Sequence, residues 1–169
     1  FNLYVFLEIS GLAAYALVAS ARGADAGLAA LKYLLVGTVG ATLYLLGVGY
    51  AFVATGTLAM ADLAPALAAA GHGSTLVVAA FVLMAVGLAV KLALFPLHGW
   101  KPDAYAAAPP AVAAVLAALG STVAGYALLR VTYGVFTPAL FEAAPAVRTL
   151  LLVAAAVSVL AGGALALRA

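Results

Sequence analysis

The sequence predicts an all-α polytopic transmembrane helical bundle with about five spans, one of them an interrupted helix. Two features of composition indicate this fold: 69% of the 169 residues are hydrophobic, and only 7% are charged. A soluble domain carries roughly 25% charged residues. Seven Lys and Arg with five Asp and Glu are too few to build a water-facing exterior. The bilayer is therefore the expected solvent, and long apolar runs in lipid favour helices, which satisfy their own backbone hydrogen bonds.

Five segments are long and apolar enough to cross a bilayer, which takes about 20 residues in a helix. We expect residues 1–169 to be a single transmembrane domain. We also expect them to be a fragment of a longer chain, because Phe1 is not preceded by an initiator Met and no signal-peptide pattern follows it. The predicted spans cover residues 1–20, 26–54, 75–96, 110–133 and 146–167.

Polar sequence separates the first spans. Residues 20–25 close the first span, and Asp25 at the end of this run can cap the second. Residues 58–70 contain Asp62 and Pro65 and are too short to cross the membrane. We therefore expect a loop or a short helix at the interface there.

Prolines delimit the later spans. Pro96 interrupts the third span, and Pro109 and Pro110 fit the first turn of the fourth, where a missing N–H costs little. The fifth span follows a connector that contains Glu142. Glycines within the spans offer small-residue surfaces for close helix packing: Gly37, Gly40, Gly47, Gly87, Gly120 and Gly125.

Glu8 lies in the middle of the first span, about two turns from either polar end. A charge at this depth costs roughly 2.5–3.5 kcal/mol on insertion scales, so Glu8 should face protein or water rather than lipid. Tyr4 and Tyr15 share its helical face. Intramembrane ionisable residues are functional candidates by default, and the alternative is a carboxyl that only joins two helices.

Lys91 precedes the interruption of the third span at Pro96. Because Pro96 has no N–H to give the carbonyl of Leu92, an acceptor is left free beside Lys91. Broken helices are tolerated in membranes where they line a cavity or are buried in protein, as in transport pathways. The alternative is a lysine that extends to the nearby interface.

Polar groups near these two residues extend the candidate pathway. For Lys32, about two turns into the second span, transport and extension to the interface are equally consistent with the sequence. His98 and Asp103 lack a third ligand, so we predict no metal site and no cofactor. The imidazole of His98 suits proton transfer at the mouth of the broken helix. Trp100 and Tyr105 are interpreted as interfacial anchors.

The stretch over 91–112, KLALFPLHGWKPDAYAAAPPAV, with YALLR at 126–130, resembles the proton-conducting antiporter-like membrane subunits. This family includes the D subunit of Mrp-type cation/proton antiporters and the antiporter-like subunits of complex I and membrane-bound hydrogenases. Three further matches occur in the family's order: Glu8 within FLEIS, Lys32 with Tyr33, and GTLAMAD at 56–62. Together these motifs cover most of the chain.

The resemblance implies that the five spans are the fifth to ninth of an antiporter-like subunit with about 14 helices. Glu8 would be the glutamate that pairs with the lysine of the interrupted helix, Lys91. Where many members carry the next lysine, on the fourth span, this chain has Ser121 and Thr122. A complete charge relay then requires hydroxyls and water in place of an ammonium, and this piece is not expected to pump by itself.

We therefore expect proton translocation through buried Glu, Lys, His and water, within a multisubunit cation/proton antiporter or proton-pumping redox complex. The expected location is a bacterial or archaeal cell membrane. The expected partners are other membrane subunits, the bilayer, protons and, as an open alternative, Na⁺. No nucleic acid is expected, because the net charge of +2 rests on few groups. The alternative function is a non-transporting scaffold that docks neighbouring subunits, and neither function makes this piece catalytic by itself.

Overall fold

A computed structural model describes residues 2–167, except for the side chain of Ala24. Phe1, which the first predicted span includes, lies outside the described residues. Within 2–167, five helices are long and apolar enough to cross a membrane, and the predicted fold class is confirmed. They are α1 (Asn2–Ala19), α2 (Ala24–Thr55), α4 (Thr75–Leu92), α6 (Pro110–Phe136) and α8 (Pro145–Ala166). Shorter helices lie between them: α3 (Met60–Ala70), α5 (Trp100–Ala107) and α7 (Ala139–Ala143).

The start of α2 differs from the sequence prediction. Gly23 occupies the N-cap position with φ 150°, a conformation that glycine adopts readily, and no side chain caps the helix. Asp25 lies inside the first turn instead, so its predicted role as the cap is wrong. Its negative charge still complements the positive end of the helix dipole.

The end of α4 also comes earlier than predicted. The helix stops at Leu92 rather than near Pro96, and Ala93 adopts a left-handed conformation with φ 62°. The N–H of Leu94 then donates to the carbonyl of Ala89 at 2.9 Å, which closes the last turn. Pro96 cannot continue a helix, so the chain turns before reaching it and begins α5 at Trp100.

The fourth span, α6, is continuous to Phe136, three residues beyond its predicted end. Two parts of it are wider π-helical turns, Leu116–Gly120 and Arg130–Phe136. The first of these ends immediately before Ser121. Such turns are uncommon and occur frequently at functional sites.

Close contact between α2 and α4 forms the centre of the bundle. A Cβ at Gly47 would lie 2.8 Å from the carbonyl oxygen of Ala80, and a Cβ at Gly87 would overlap the carbonyl oxygen of Gly40. Only small residues permit this approach, which agrees with the glycine surfaces predicted from the sequence. Gly120, by contrast, has open space around it.

The main core extends from this contact to α6 and the short helices. Phe81 of α4 packs edge-on against Phe136 of α6, with ring centroids 5.2 Å apart, and both side chains are fully buried. Leu67 of α3 and Leu140 of α7 are also fully buried in this cluster. The short helix predicted as one alternative for residues 58–70 is therefore present and packed. A second, smaller cluster joins α1, α2, α5 and α6 around Trp100.

Candidate functional site

Glu8 and Lys91 form an ion pair between α1 and α4. The Lys91 Nζ lies 2.7 Å from the Glu8 Oε1, and it is 3.5 Å from the carbonyl oxygen of Leu7. The Glu8 side chain is 24% exposed and the Lys91 side chain is 13% exposed. Glu8 lies roughly 9 Å along α1 from Asn2, in the middle of the span. The ammonium therefore turns into the bundle toward this carboxylate and does not extend to an interface.

A cavity of about 410 Å³ adjoins Lys91. Residues of α1, α2, α4, α5 and α6 line it, and its polar wall includes Ser10, Tyr15 and Lys91. Apolar side chains make up most of the remaining wall, so water in this space would bind at the polar groups. Because Trp100 and Gly120 also line it, the cavity extends from the ion pair toward α5 and α6.

Three aromatic rings in contact connect α1 and α2 to α5 beside the cavity. Tyr15 packs edge-on against Tyr33 with centroids 4.5 Å apart, and Tyr33 stacks on Trp100 at 4.2 Å. The indole N–H of Trp100 donates to the carbonyl of Val90 at 3.1 Å. Trp100 is only 6% exposed, so its interpretation as an interfacial anchor is wrong. Because α4 ends at Leu92, the chain turns and the Trp100 indole reaches the Val90 carbonyl near the end of that helix.

Lys32 pairs with Asp103 of α5. The Lys32 Nζ lies 2.7 Å from the Asp103 Oδ2, and the side chains are 51% and 45% exposed. The structure therefore does not join Lys32 directly to the Glu8–Lys91 pair. Sequence reasoning missed this partner, because 71 residues separate the two positions and Asp103 was considered only as a metal ligand.

His98 lies in the turn after the break. Its ring stacks on Phe95 with centroids 5.3 Å apart. Its Nδ1 is buried, and no hydrogen-bond partner for this atom is found among the described residues. Within 2–167 no hydrogen bond joins His98 to Lys91 or Glu8, and no group of three His, Asp or Glu is placed to hold a metal ion.

Ser121, where the sequence departs from the expected lysine, contacts a lysine of another helix. The Lys101 Nζ donates to the Ser121 Oγ at 2.5 Å and lies 5.4 Å from the centre of the Tyr105 ring. Tyr105 in turn donates to the carbonyl of Leu116 at 2.9 Å, so it binds α6. Thr122 is exposed. Lys101 was missed because the sequence around it is typical of a polar connector.

Comparison with known proteins agrees with this arrangement. The whole chain, residues 1–169, matches the protein family described as NADH:quinone oxidoreductase/Mrp antiporter, TM. The chain belongs to this family. It is therefore an antiporter-like, multi-pass integral protein of the cell membrane, and the family predicted from the sequence is confirmed.

Individual relatives show how much of such a subunit is present. The chain is 54% identical over 133 residues to NADH-quinone oxidoreductase subunit N of Desulforudis audaxviator, covering 79% of this chain and 26% of the relative. It is 36% identical over 131 residues to the D subunit of the Na(+)/H(+) antiporter of Bacillus subtilis, covering 78% and 26%. The chain thus spans about a quarter of the length of these relatives.

Two solved membrane complexes contain chains of similar structure. One is the membrane-bound sulfane sulfur reductase, an archaeal respiratory membrane complex, with a TM-score of 0.73 and 40% identity over 78% of this chain and 26% of that one. The other is the Mrp complex from Dietzia sp. DQ12-45-1b, with a TM-score of 0.72 and 33% identity over 80% and 26%. At these identities the shared fold reflects common ancestry.

Proposed function

We propose that this chain forms part of a proton-translocation pathway in a multisubunit cation/proton antiporter or proton-pumping redox complex. The observation that carries the proposal is the Glu8–Lys91 ion pair, enclosed between α1 and α4 beside a cavity. The relatives support it, since they include subunits of a Na(+)/H(+) antiporter and of NADH-quinone oxidoreductase.

The ion pair controls the protonation of Lys91 in this proposal. The carboxylate of Glu8, 2.7 Å from the Lys91 Nζ, pairs with the ammonium form of Lys91. When Glu8 moves away, Lys91 gives its proton to water in the adjoining cavity and becomes a neutral amine. When Glu8 returns, Lys91 takes one proton from water and becomes an ammonium again, so each separation and return of the two side chains carries one proton through Lys91.

His98 and Lys32 are proposed as further members of this pathway. His98 follows the broken helix, and its buried Nδ1 has no hydrogen-bond partner among the described residues, so it is open to water. Lys32 is the chain neighbour of Tyr33, whose ring stacks on Trp100 and lines the cavity. Its half-exposed pair with Asp103 suits exchange between the pathway and bulk water.

Loss-of-charge variants at the ion pair test the proposal in the complete complex. Glu8→Gln and Lys91→Ala should each abolish cation-dependent or redox-dependent proton flux into vesicles, because neither variant can reproduce the coupled change in proton affinity. Glu142→Gln is the matched control, since it makes the same chemical change at an exposed residue of α7. Wild-type flux in either ion-pair variant would refute the proposal.

The alternative is a scaffold that docks neighbouring subunits without transporting protons. The observation that favours it is that Lys91 contacts both Glu8 and the carbonyl of Leu7, so its ammonium joins α4 to α1. In a scaffold, Glu8→Gln and Lys91→Ala would lower the yield of assembled complex, while the fraction that assembles would keep wild-type flux. Flux is therefore normalised to assembled complex on native gels.

A further inference from the structure

Lys101 places an ammonium group against the middle of α6. Its partner Ser121 lies eleven residues after Pro110, roughly 16 Å into the span. From Pro110 to Leu129, α6 has no charged residue of its own. The side chain of Lys101 therefore brings a positive charge from α5 to an apolar part of the fourth span, directly after the π-helical turn Leu116–Gly120.

The surroundings of this ammonium differ from those of Lys91. Among the described residues, no carboxylate lies within 4 Å of Lys101, whereas Lys91 has Glu8. The contacts of Lys101 are the hydroxyl of Ser121 and the face of Tyr105. A serine hydroxyl accepts a hydrogen bond from an ammonium and donates one to a neutral amine. The contact between Lys101 and Ser121 can therefore persist in both protonation states.

The position of Lys101 also connects it to the ion pair. Trp100 and Gly120, the chain neighbours of Lys101 and Ser121, line the same cavity as Lys91. Lys91 therefore lines this cavity, and Lys101 lies beside it. We propose that Lys101, held by Ser121, is the second proton-exchanging amine of this chain and accepts the proton that Lys91 releases. This inference rests on the proposed function.

The transfer conserves both charge and protons. The Lys91 ammonium gives one proton to cavity water and becomes a neutral amine. The neutral Lys101 amine takes one proton from that water and becomes an ammonium. Ser121 rotates its hydroxyl from donor to acceptor as this happens. Lys101 then gives this proton to water and returns to the neutral amine, and Ser121 donates to it again.

Lys101→Arg and Lys101→Gln test this role in the complete complex. Arginine keeps the positive charge and the donor to Ser121 but does not deprotonate in proteins. Glutamine keeps hydrogen bonding without an ionisable group. Both variants should lower proton flux at least tenfold per assembled complex. The matched control is Arg22→Gln, which removes an exposed cation in the α1–α2 connection and should keep flux within twofold of wild type.

The possible outcomes separate this inference from the proposed function. An assembled Lys101→Arg complex with wild-type flux would show a purely structural role and overturn the inference. If arginine prevents assembly, wild-type flux in Lys101→Gln overturns it equally. Either result, alongside loss of flux in Glu8→Gln and Lys91→Ala, leaves the proposed function intact. Wild-type flux in the Glu8 and Lys91 variants would refute the proposed function, and with it the transfer from Lys91.

Discussion

Gly87→Ala should separate α2 from α4 and weaken the Glu8–Lys91 pair from a distance. An added Cβ would lie 2.7 Å from the backbone nitrogen of Tyr44 and 2.9 Å from its Cβ, and would overlap the Gly40 carbonyl oxygen. Ordinary contacts between carbon atoms are about 3.5–4.0 Å. The two helices must therefore move apart by roughly 1 Å, because backbone atoms cannot rotate out of the way.

This displacement should affect both the stability of the protein and the Glu8–Lys91 pair. Overpacking of a tight interior contact costs about 1–3 kcal/mol. Lys91 lies one turn after Gly87 on the same helix, so a displacement of α4 by about 1 Å also perturbs the 2.7 Å contact between its Nζ and the Glu8 Oε1. Proton flux should therefore fall together with stability.

The assay is the thermal midpoint of the detergent-solubilised complex, followed by proton flux in vesicles. Gly87→Ala should lower this midpoint relative to that of the wild-type complex. Gly49→Ala on α2 is the control, since nothing lies within 4 Å of the added Cβ and alanine is favoured within a helix. A wild-type midpoint and wild-type flux in Gly87→Ala would refute the packing argument.

Further predictions concern backbone strain, a filled glycine site and an exposed ion pair. Ala93→Gly should raise the thermal midpoint, because it relieves about 1 kcal/mol at φ 62°, and a lower midpoint would contradict this. Gly37→Ala should destabilise the protein, because the new Cβ overlaps the Tyr15 hydroxyl oxygen. Adding Tyr15→Phe should recover part of the loss, because the ring Cζ still lies 2.9 Å from the new Cβ, and no recovery would disprove the clash with the hydroxyl. Asp103→Asn should lower the free energy of unfolding by under about 1 kcal/mol, because its ion pair with Lys32 is half-exposed. A decrease above about 2 kcal/mol would contradict the view that this pair adds little stability.

The sequence predicted the features that depend on local pattern. Apolar runs and prolines gave the five spans to within a few residues, except that α4 ends at Leu92 and α6 extends to Phe136. The length of an apolar run is fixed by the chain itself, whereas the exact end of a helix depends on which groups bind its last carbonyls. Glu8 and Lys91 were identifiable as candidates because a charge at membrane depth is costly wherever it points.

Only the tertiary structure decided which of these groups meet. Glu8 and Lys91 are 83 residues apart, and Lys32 and Asp103 are 71 apart, so no spacing within one helix could pair them. Their contacts depend on the rotation and depth of whole helices, and the close glycine contacts between α2 and α4 are one part of that packing. The composition indicated only that the few charged residues matter. The fold brings Lys101 of α5 to Ser121, in a part of α6 that has no charged residue of its own.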